Sequence, residues 1–272
     1  MRTIVHLSDL HFGRVNPAIL PPLLTFIREV KPDLVAVSGD LTQRARTEEF
    51  QAARAFLDSI PFPQIVVPGN HDVPLLNIFS RFVRRLDRYC RHITDDLAPY
   101  FSDDEIAVAG VNTARALTFK DGRINAAQIA GLKARFQMLN DTPTKIVVTH
   151  HPFDLPAGAR GGRVVGRSRQ AMEALAQCGV DLLLAGHFHI AHTGSSTTRF
   201  RIPGYSALVV SSGTSTSTRG RGQPNSLNVI RTDRAQIGVE CWAWRPERDH
   251  FERQSHEEFQ RTPDGWSAAA KS

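Results

Sequence analysis

Five short stretches of the sequence concentrate side chains that bind metal ions: Asp9-Leu10-His11, Gly39-Asp40, Gly69-Asn70-His71-Asp72, His150-His151 and Gly186-His187-Phe188-His189. They offer carboxylate and amide oxygens and imidazole nitrogens. The three cysteines, Cys90, Cys178 and Cys241, are odd in number, far apart and in no CxxC pair, which argues against both a disulfide framework and a thiolate zinc site. Any metal must therefore be held by oxygen and imidazole, a donor set that suits manganese, iron, zinc or cobalt and leaves the choice open. Ions held this way act as Lewis acids and lower the pKa of a water molecule.

Each stretch follows a short apolar run that reads as a strand: residues 4–7, 34–37, 65–67, 146–148 and 182–185. Helical spacing separates them, with Leu23, Phe26, Ile27 and Val30 on one face and Phe50, Ala53, Phe56 and Leu57 on another. Pro32 and Pro61 close these two helices. Asp40 lies 31 residues after Asp9, and Asn70 lies 30 after Asp40, each about the length of a strand-helix-strand unit. Ligands of open α/β sheets sit at the carboxyl ends of strands, so this placement gathers all five turns on one edge. Gly39, Gly69 and Gly186 suit the tight turns required there.

Further helices are expected over 76–97, 125–139 and 169–178, and a strand over 106–111. Beyond Ala185 strands follow one another alone, over 197–202, 207–211, 227–231 and 238–244, joined by Ser, Thr, Gly and Pro. Strand-helix alternation followed by a meander predicts an α/β protein, a four-layer αββα sandwich with two mixed β-sheets face to face and helices outside. Residues 1–245 are expected as one domain. Residues 246–272 are polar and charged, with Phe259 and Trp266 among their few large apolar groups, and are expected as a loosely docked or disordered C-terminal tail.

Taken in order, Asp9-Leu10-His11, Gly39-Asp40, Gly69-Asn70-His71-Asp72, His150 and Gly186-His187-Phe188-His189 resemble the calcineurin-like metallophosphoesterase superfamily over residues 9–189. The resemblance implies a dinuclear metal site at the sheet edge. Asp9, His11, Asp40 and His189 would hold one divalent ion; Asp40, Asn70, His150 and His187 would hold the other. Asp40 would bridge, as two ions about 3.5–4 Å apart need an anion between them. The implied ions are Mn2+ and/or Fe2+/Fe3+, with Zn2+ or Co2+ as further options. The implied reaction is in-line attack of a metal-bridging hydroxide on the phosphorus of a phosphodiester. His71 looks like the family's catalytic histidine, near substrate oxygens without ligating metal.

The sequence is most similar to the bacterial class III cyclic nucleotide phosphodiesterases, which implies a cyclic nucleotide or related small phosphodiester as substrate. A phospholipid headgroup or nucleotide-pyrophosphate hydrolase is the alternative. The lipid A pathway pyrophosphatases usually carry Arg at the position of His71. The nuclease branch usually adds a substrate-capping domain, whereas only a meander and a polar segment follow His189. A non-catalytic scaffold usually loses ligands, and here every one is present.

Residues beside the motifs carry two readings each. Asp72 either orients His71 or caps a helix at Val73-Pro74. His151 is a neighbour of a ligand position, with no assigned role. Phe12, Phe153 and Phe188 are expected to pack behind the site rather than to stack on substrate. The Gly-rich run 157–163, with Arg160 and Arg163, is expected as a substrate loop, and the wider loop 152–168 as the determinant of specificity. Gln43, Arg44 and Arg46 are expected as solvated residues near the same edge. His6, His92, His192, His250 and His256 have no motif around them.

The chain's formal net charge is +6, with 33 Lys and Arg against 27 Asp and Glu over 272 residues. That excess is modest and has no basic cluster or repeated aromatic motif, so no stable nucleic-acid partner is expected. No apolar run approaches the roughly 20 residues of a membrane span, and residues 1–6 enter a strand pattern without a signal-peptide core. A cytoplasmic location is expected, and a homodimer is left open.

Overall fold

Along β1 (Arg2–Leu7), Ile4 faces one apolar cluster while Val5 and Leu7 face another. The period-two alternation of a strand sorts side chains onto its two faces, and here both faces are buried. The same sorting holds in β2 (Leu34–Val37), where Leu34 and Ala36 share the cluster of Ile4, and Val35 and Val37 that of Val5. This explains why these strands read as continuous apolar runs.

The computed structural model describes residues 1–74, 85–115, 121–139, 143–155, 163–220 and 222–269. Two mixed sheets stack face to face. The first has the order β13-β12-β11-β10-β1-β2-β3, in which β1, β2 and β3 (Gln64–Val66) run parallel and β1 pairs antiparallel with β10 (Ser226–Thr232). The second has the order β4-β5-β6-β7-β9-β8. Its strands β5 (Ile106–Val111), β6 (Thr144–Thr149), β7 (Leu182–Ala185) and β9 (Leu208–Ser211) are parallel, flanked by antiparallel β4 (Tyr100–Ser102) and β8 (His192–Ser195). Ile4, Leu34 and Ile230 of the first sheet meet Ile146, Val148, Leu182 and Leu184 of the second in the central core.

Helices cover the outer faces. Helix α1 (Leu20–Val30) buries Leu23, Phe26 and Ile27, and α2 (Thr47–Asp58) buries Phe50, Ala53, Phe56 and Leu57, against the outer side of the first sheet. Helix α3 (Asp87–His92) adds Tyr89 to that layer. On the other side, α4 (Ala126–Gln137) contributes Leu132 and Phe136, and α5 (Ser168–Gln177) contributes Met172 and Leu175, against Val147, Leu183 and Val209. The four-layer sandwich expected from the sequence is the architecture observed. Of the helix expected over 76–97, residues 75–84 lie outside the described residues.

Two expectations are corrected. Residues 197–202 form no strand: Ser196–Thr198 is a 3-10 turn, whose Thr197 N–H donates to the Ser195 hydroxyl at 3.2 Å, a local bond that competes with sheet pairing. Residues 270–272 lie outside the described residues, and residues 246–269 are no loose tail. They supply β12 (His250–Thr262), paired along the whole of β11 (Gln236–Arg245), and β13 (Gly265–Ala268). The apolar signal was thin because most of β12 is an exposed edge rich in charge, which guards such edges against wrong pairing. A register shift opposite Cys241/Trp242 also switches faces, so that Phe251 packs with α1 whereas Phe259 and Trp266 enter the central core.

Candidate metal centre

Asp9, Asp40 and Asn70 follow the carboxyl ends of β1, β2 and β3, while His150 and His187 follow those of β6 and β7. The two sheets thus deliver their parallel strand ends to one edge, and the turns beyond them lean together. Past the sheet the chains remain hydrogen-bonded: Asp9 N–H donates to Gly39 O at 3.0 Å, His11 N–H to Asp40 O at 2.9 Å and Phe12 N–H to Leu41 O at 2.8 Å. Of nine non-glycine residues with positive φ among the described residues, five are Asp9, His11, Asp40, His187 and His189. Left-handed backbone is costly outside glycine and persists where the surroundings over-determine it.

The seven residues nominated as metal ligands are brought together here. Asp9, His11 and His189 form one group: the His189 Nε2 and His11 Nε2 atoms lie 3.1 and 3.6 Å from Asp9 Oδ1, and 3.1 Å from each other. Asp40, Asn70, His150 and His187 form the other. His150 Nε2 lies 3.3 Å from Asp40 Oδ1, 3.1 Å from Asn70 Oδ1 and 3.3 Å from His187 Nδ1. The second oxygen of Asp40, Oδ2, lies 3.7 Å from His11 Nε2, so its carboxylate stands between the groups.

This arrangement fits a cation at each group. Asp9 Oδ1 is buried and accepts no hydrogen bond, whereas Asp9 Oδ2 accepts from Ser8 Oγ at 2.6 Å and His187 N at 2.9 Å. A carboxylate oxygen without a donor in a buried site is costly unless a positive charge faces it. The Nδ1 atoms of His11, His150 and His189 face the carbonyls of Thr42, Ser38 and Arg219 at 3.3, 2.8 and 2.9 Å. Those carbonyls anchor Nδ1 and turn each Nε2 atom inward, the arrangement by which outer groups orient metal-binding imidazoles.

The electrostatics agree. Burial opposes the charge of Asp9, yet His189 and His11 beside it hold its carboxyl well below the usual range. Burial likewise opposes the charge of Asp40, which His150 holds far down. Against its own burial, His150 is drawn up to about 9 by the Asp40 carboxylate. Burial, reinforced by His150, pushes His187 down to about 3 and leaves it a neutral donor.

His71 stands beside the groups rather than within them. Its ring meets that of His11 edge-on at 4.9 Å, its Nδ1–H donates to Gln43 O at 2.9 Å, and its backbone N–H donates to Asp40 Oδ1 at 2.8 Å. Burial is the main cause that lowers its pKa.

The segment that Asp72 was expected to cap, beyond Pro74, lies outside the described residues, and Asp72 has partners that neither reading named. Its buried carboxylate accepts from the backbone N–H groups of Leu41, Thr42 and Gly69 at 3.1, 2.9 and 2.9 Å, which ties the Asp40 turn to the Asn70 turn. Burial, with Asp40 nearby, pushes it up to about 6. Phe12, Phe153 and Phe188 are buried, as expected of packing residues. Of the nearby polar residues, Gln43 belongs to the site, whereas Arg44 and Arg46 offer backbone N–H groups to Glu49. His151 lies closer than its lack of motif implied, its ring 4.8 Å from those of both His150 and His187. Residues 157–162 of the Gly-rich run lie outside the described residues; Arg163 pairs with Asp121 at 3.7 Å.

No sequence motif marks the segment that follows β9. Its Ser/Thr run reads as a linker, yet Ser215 N–H donates to Ser8 O at 2.9 Å, Thr214 Oγ1 to Asp9 O at 2.6 Å and Thr216 Oγ1 to Leu10 O at 2.6 Å. These bonds satisfy carbonyls that the distorted Asp9-Leu10-His11 turn removes from the sheet ladder.

Close approach fixes the glycines. A Cβ on Gly69 would lie 2.1 Å from Asp40 Oδ1 and 2.3 Å from Asp40 N. Gly69→Ala is therefore expected to displace Asp40 and to destabilise the fold by about 1–3 kcal/mol, as overpacked sites do. Calorimetric melting should fall by a few degrees; an unchanged midpoint would reject the close fit.

Residues 2–191 match the model of the calcineurin-like phosphoesterase family. The chain belongs to that family. Among its relatives, the glycerophosphodiester phosphodiesterase GpdQ of Enterobacter lignolyticus is 28% identical over 171 residues, which are 56% of this chain and 58% of that one. The chain thus matches less than two thirds of that relative's length. A Synechococcus protein named as a probable cyclic nucleotide phosphodiesterase is 22% identical over 203 residues, 70% of this chain and 74% of its own. The family fold recurs in a dimetal phosphatase from Danio rerio, with a TM-score of 0.64 at 14% identity over 88% of this chain and 95% of that one. It recurs again in purple acid phosphatase PPD1 of yellow lupin, with a TM-score of 0.69 at 12% identity over 89% of this chain and 51% of that one.

Proposed function

We propose that the protein is a metal-dependent phosphodiesterase acting on a cyclic nucleotide or a related small phosphodiester. The observation that carries this reading is the pair of donor groups on either side of Asp40, with a buried carboxylate oxygen of Asp9 that accepts no hydrogen bond at one of them. Asp9, His11, Asp40 and His189 would hold one divalent ion, and Asp40, Asn70, His150 and His187 the second. The nitrogen and oxygen donors favour manganese or iron, and accept zinc or cobalt. When bound, such ions neutralise phosphate charge and make water a usable nucleophile near neutral pH.

The chain's own residues do the rest. Thr42, Ser38 and Arg219 fix imidazole orientation through their carbonyls, Asp72 holds two of the turns in register, and His71 manages a proton at Nε2 near the substrate oxygens. The names of the two relatives both specify phosphodiesters, which supports a diester over a monoester and keeps glycerophosphodiesters within the substrate class.

The test is turnover of bis(p-nitrophenyl) phosphate by manganese-reconstituted protein, beside cyclic nucleotides, glycerophosphodiesters and nucleotide pyrophosphates. Hydrolysis that chelation abolishes and manganese restores is the expected result. Metal-loaded protein that turns over none of these esters would leave the fold as a scaffold and sink the proposal.

A further inference from the structure

Strand β5 pairs in parallel with β6, while its Gly110 meets the other sheet so closely that a Cβ there would lie 2.8 Å from Val67 Cγ1, just past β3. The exit of β5 therefore emerges between the Asn70 turn and the His150 turn. Thr113 Oγ1 and His151 Nδ1 are hydrogen-bonded at 2.8 Å, and the His151 ring lies 4.8 Å from those of His150 and His187. The chain returns past the same ring: a Cβ on Gly122 would lie 2.1 Å from His151 Nδ1, and Arg123 N–H donates to Thr113 O at 2.9 Å. Arg115 and Arg123 are thereby held at the rim of the metal centre, on the side of Asn70 and His150.

Arg115 is half-buried there, and positive charge surrounds it. Its Nη1 donates to the carbonyls of Asn112 and Ala114 at 3.1 and 2.9 Å, and its Nη2 donates to Gln128 Oε1. All three acceptors are uncharged, and among the described residues no carboxylate partners this guanidinium. Gln128 stands in the first turn of α4, the end of a helix that carries positive partial charge and disfavours cations. Burial, followed by the repulsion of Arg85 and Arg123, pushes the Arg115 pKa down to about 10, which leaves it charged at neutral pH. Arg85 and Arg123 are both exposed. Asp121, the acidic residue of this loop, pairs instead with Arg163 at 3.7 Å. Separated by 30 and 8 residues, Arg85, Arg115 and Arg123 form no cluster in the sequence, and the fold assembles one. Like charges brought together in this way are relieved by an anion, and guanidinium forks match the oxygens of a phosphate.

We propose that Arg85, Arg115 and Arg123 form a second anion subsite, which holds a further phosphate of a substrate whose phosphodiester lies on the metal centre. This rests on the phosphodiesterase reading above and selects, within it, diesters that carry a second phosphate. No covalent bond changes at the subsite. A singly charged diester occupies the metal centre alone, whereas a phosphorylated one reaches both places. Phosphate suits the subsite better than a carboxylate does, because its greater charge and larger set of oxygens can engage more than one guanidinium fork.

The test compares two esters with the same leaving group that differ in one phosphate: thymidine 5′-(p-nitrophenyl phosphate) and the same ester bearing a 3′-phosphate. Manganese-reconstituted wild type is expected to favour the phosphorylated ester by about 10-fold or more in kcat/KM, the worth of one charged hydrogen bond. Arg115→Gln, Arg123→Ala and Arg85→Ala should each reduce that preference. Potassium chloride should shrink it in wild type, since salt screens exposed charges. The ratio is the readout because damage to the fold or to the metal centre lowers both rates and leaves their quotient unchanged. Arg85 and Arg123 are exposed, so their variants keep the test decisive should Arg115→Gln unsettle the start of α4. Equal kcat/KM for the two esters in wild type, or a preference that survives all three substitutions, overturns the inference. Should wild type hydrolyse neither ester, the phosphodiesterase reading fails on its own. Calorimetry of thymidine 3′,5′-bisphosphate against thymidine 5′-phosphate, on manganese-loaded wild type and Arg123→Ala, then decides the subsite: tighter binding of the bisphosphate that Arg123→Ala weakens supports it, and equal affinities in wild type reject it.

Discussion

Asp40→Ala is expected to lose more activity than alanine at any other proposed ligand, by more than about 10²-fold, since even changes to residues behind a ligand cost 10- to 100-fold in metal affinity. The reason is geometric. Asp40 Oδ1 lies 3.3 Å from His150 Nε2 and Oδ2 lies 3.7 Å from His11 Nε2, so the two oxygens of this carboxylate reach toward different donor groups. Removing a residue of one group should weaken one ion; removing Asp40 should weaken both. Oδ1 also accepts the His71 N–H at 2.8 Å, so alanine loosens the His71 turn as well. Asp40→Asn separates the two effects, because an amide oxygen can still accept that bond while contributing no negative charge. Elemental analysis of both variants supplies the measurement. Two tightly bound ions in Asp40→Ala would refute the bridging role.

What the sequence made legible follows from burial. Strands covered on both faces, such as β1 and β2, are short apolar runs, and a polar residue just past their end stands out against them. Asp9, Asp40, Asn70, His150 and His187 were visible for that reason. The segment after β9 was not, because serine, threonine and glycine compose exposed linkers and buried hydrogen-bonding stitches alike; only the unsatisfied carbonyls of Ser8, Asp9 and Leu10 tell the two apart. Arg219 was hidden with it. The bonds by which Asp72 ties two turns together were hidden because its partners Leu41 and Thr42 lie about 30 residues upstream across the β2–β3 crossover. In β12, one shift in register broke the alternation that would have linked Phe251 to Phe259.

His71→Ala is expected to retain metal stoichiometry while turnover falls roughly 10²–10⁴-fold, the usual contribution of a positioned acid or base. Retention follows from where the ring sits. Its Nδ1 is committed to the Gln43 carbonyl and its Nε2 meets Arg219, so neither nitrogen points into a donor group, although the ring lies against His11. Burial lowers its pKa, so a proton held at Nε2 is the more readily given to the departing oxygen. The size of the loss then depends on the leaving group. p-Nitrophenolate departs with little protonation, whereas an alkoxide needs a proton. His71→Ala should thus be hurt less on bis(p-nitrophenyl) phosphate than on an alkyl diester or cyclic nucleotide. Equal losses on both would reject proton donation and leave stabilisation of the phosphoryl oxygens as its task. A missing ion in this variant would show that His71 belongs to a donor group after all.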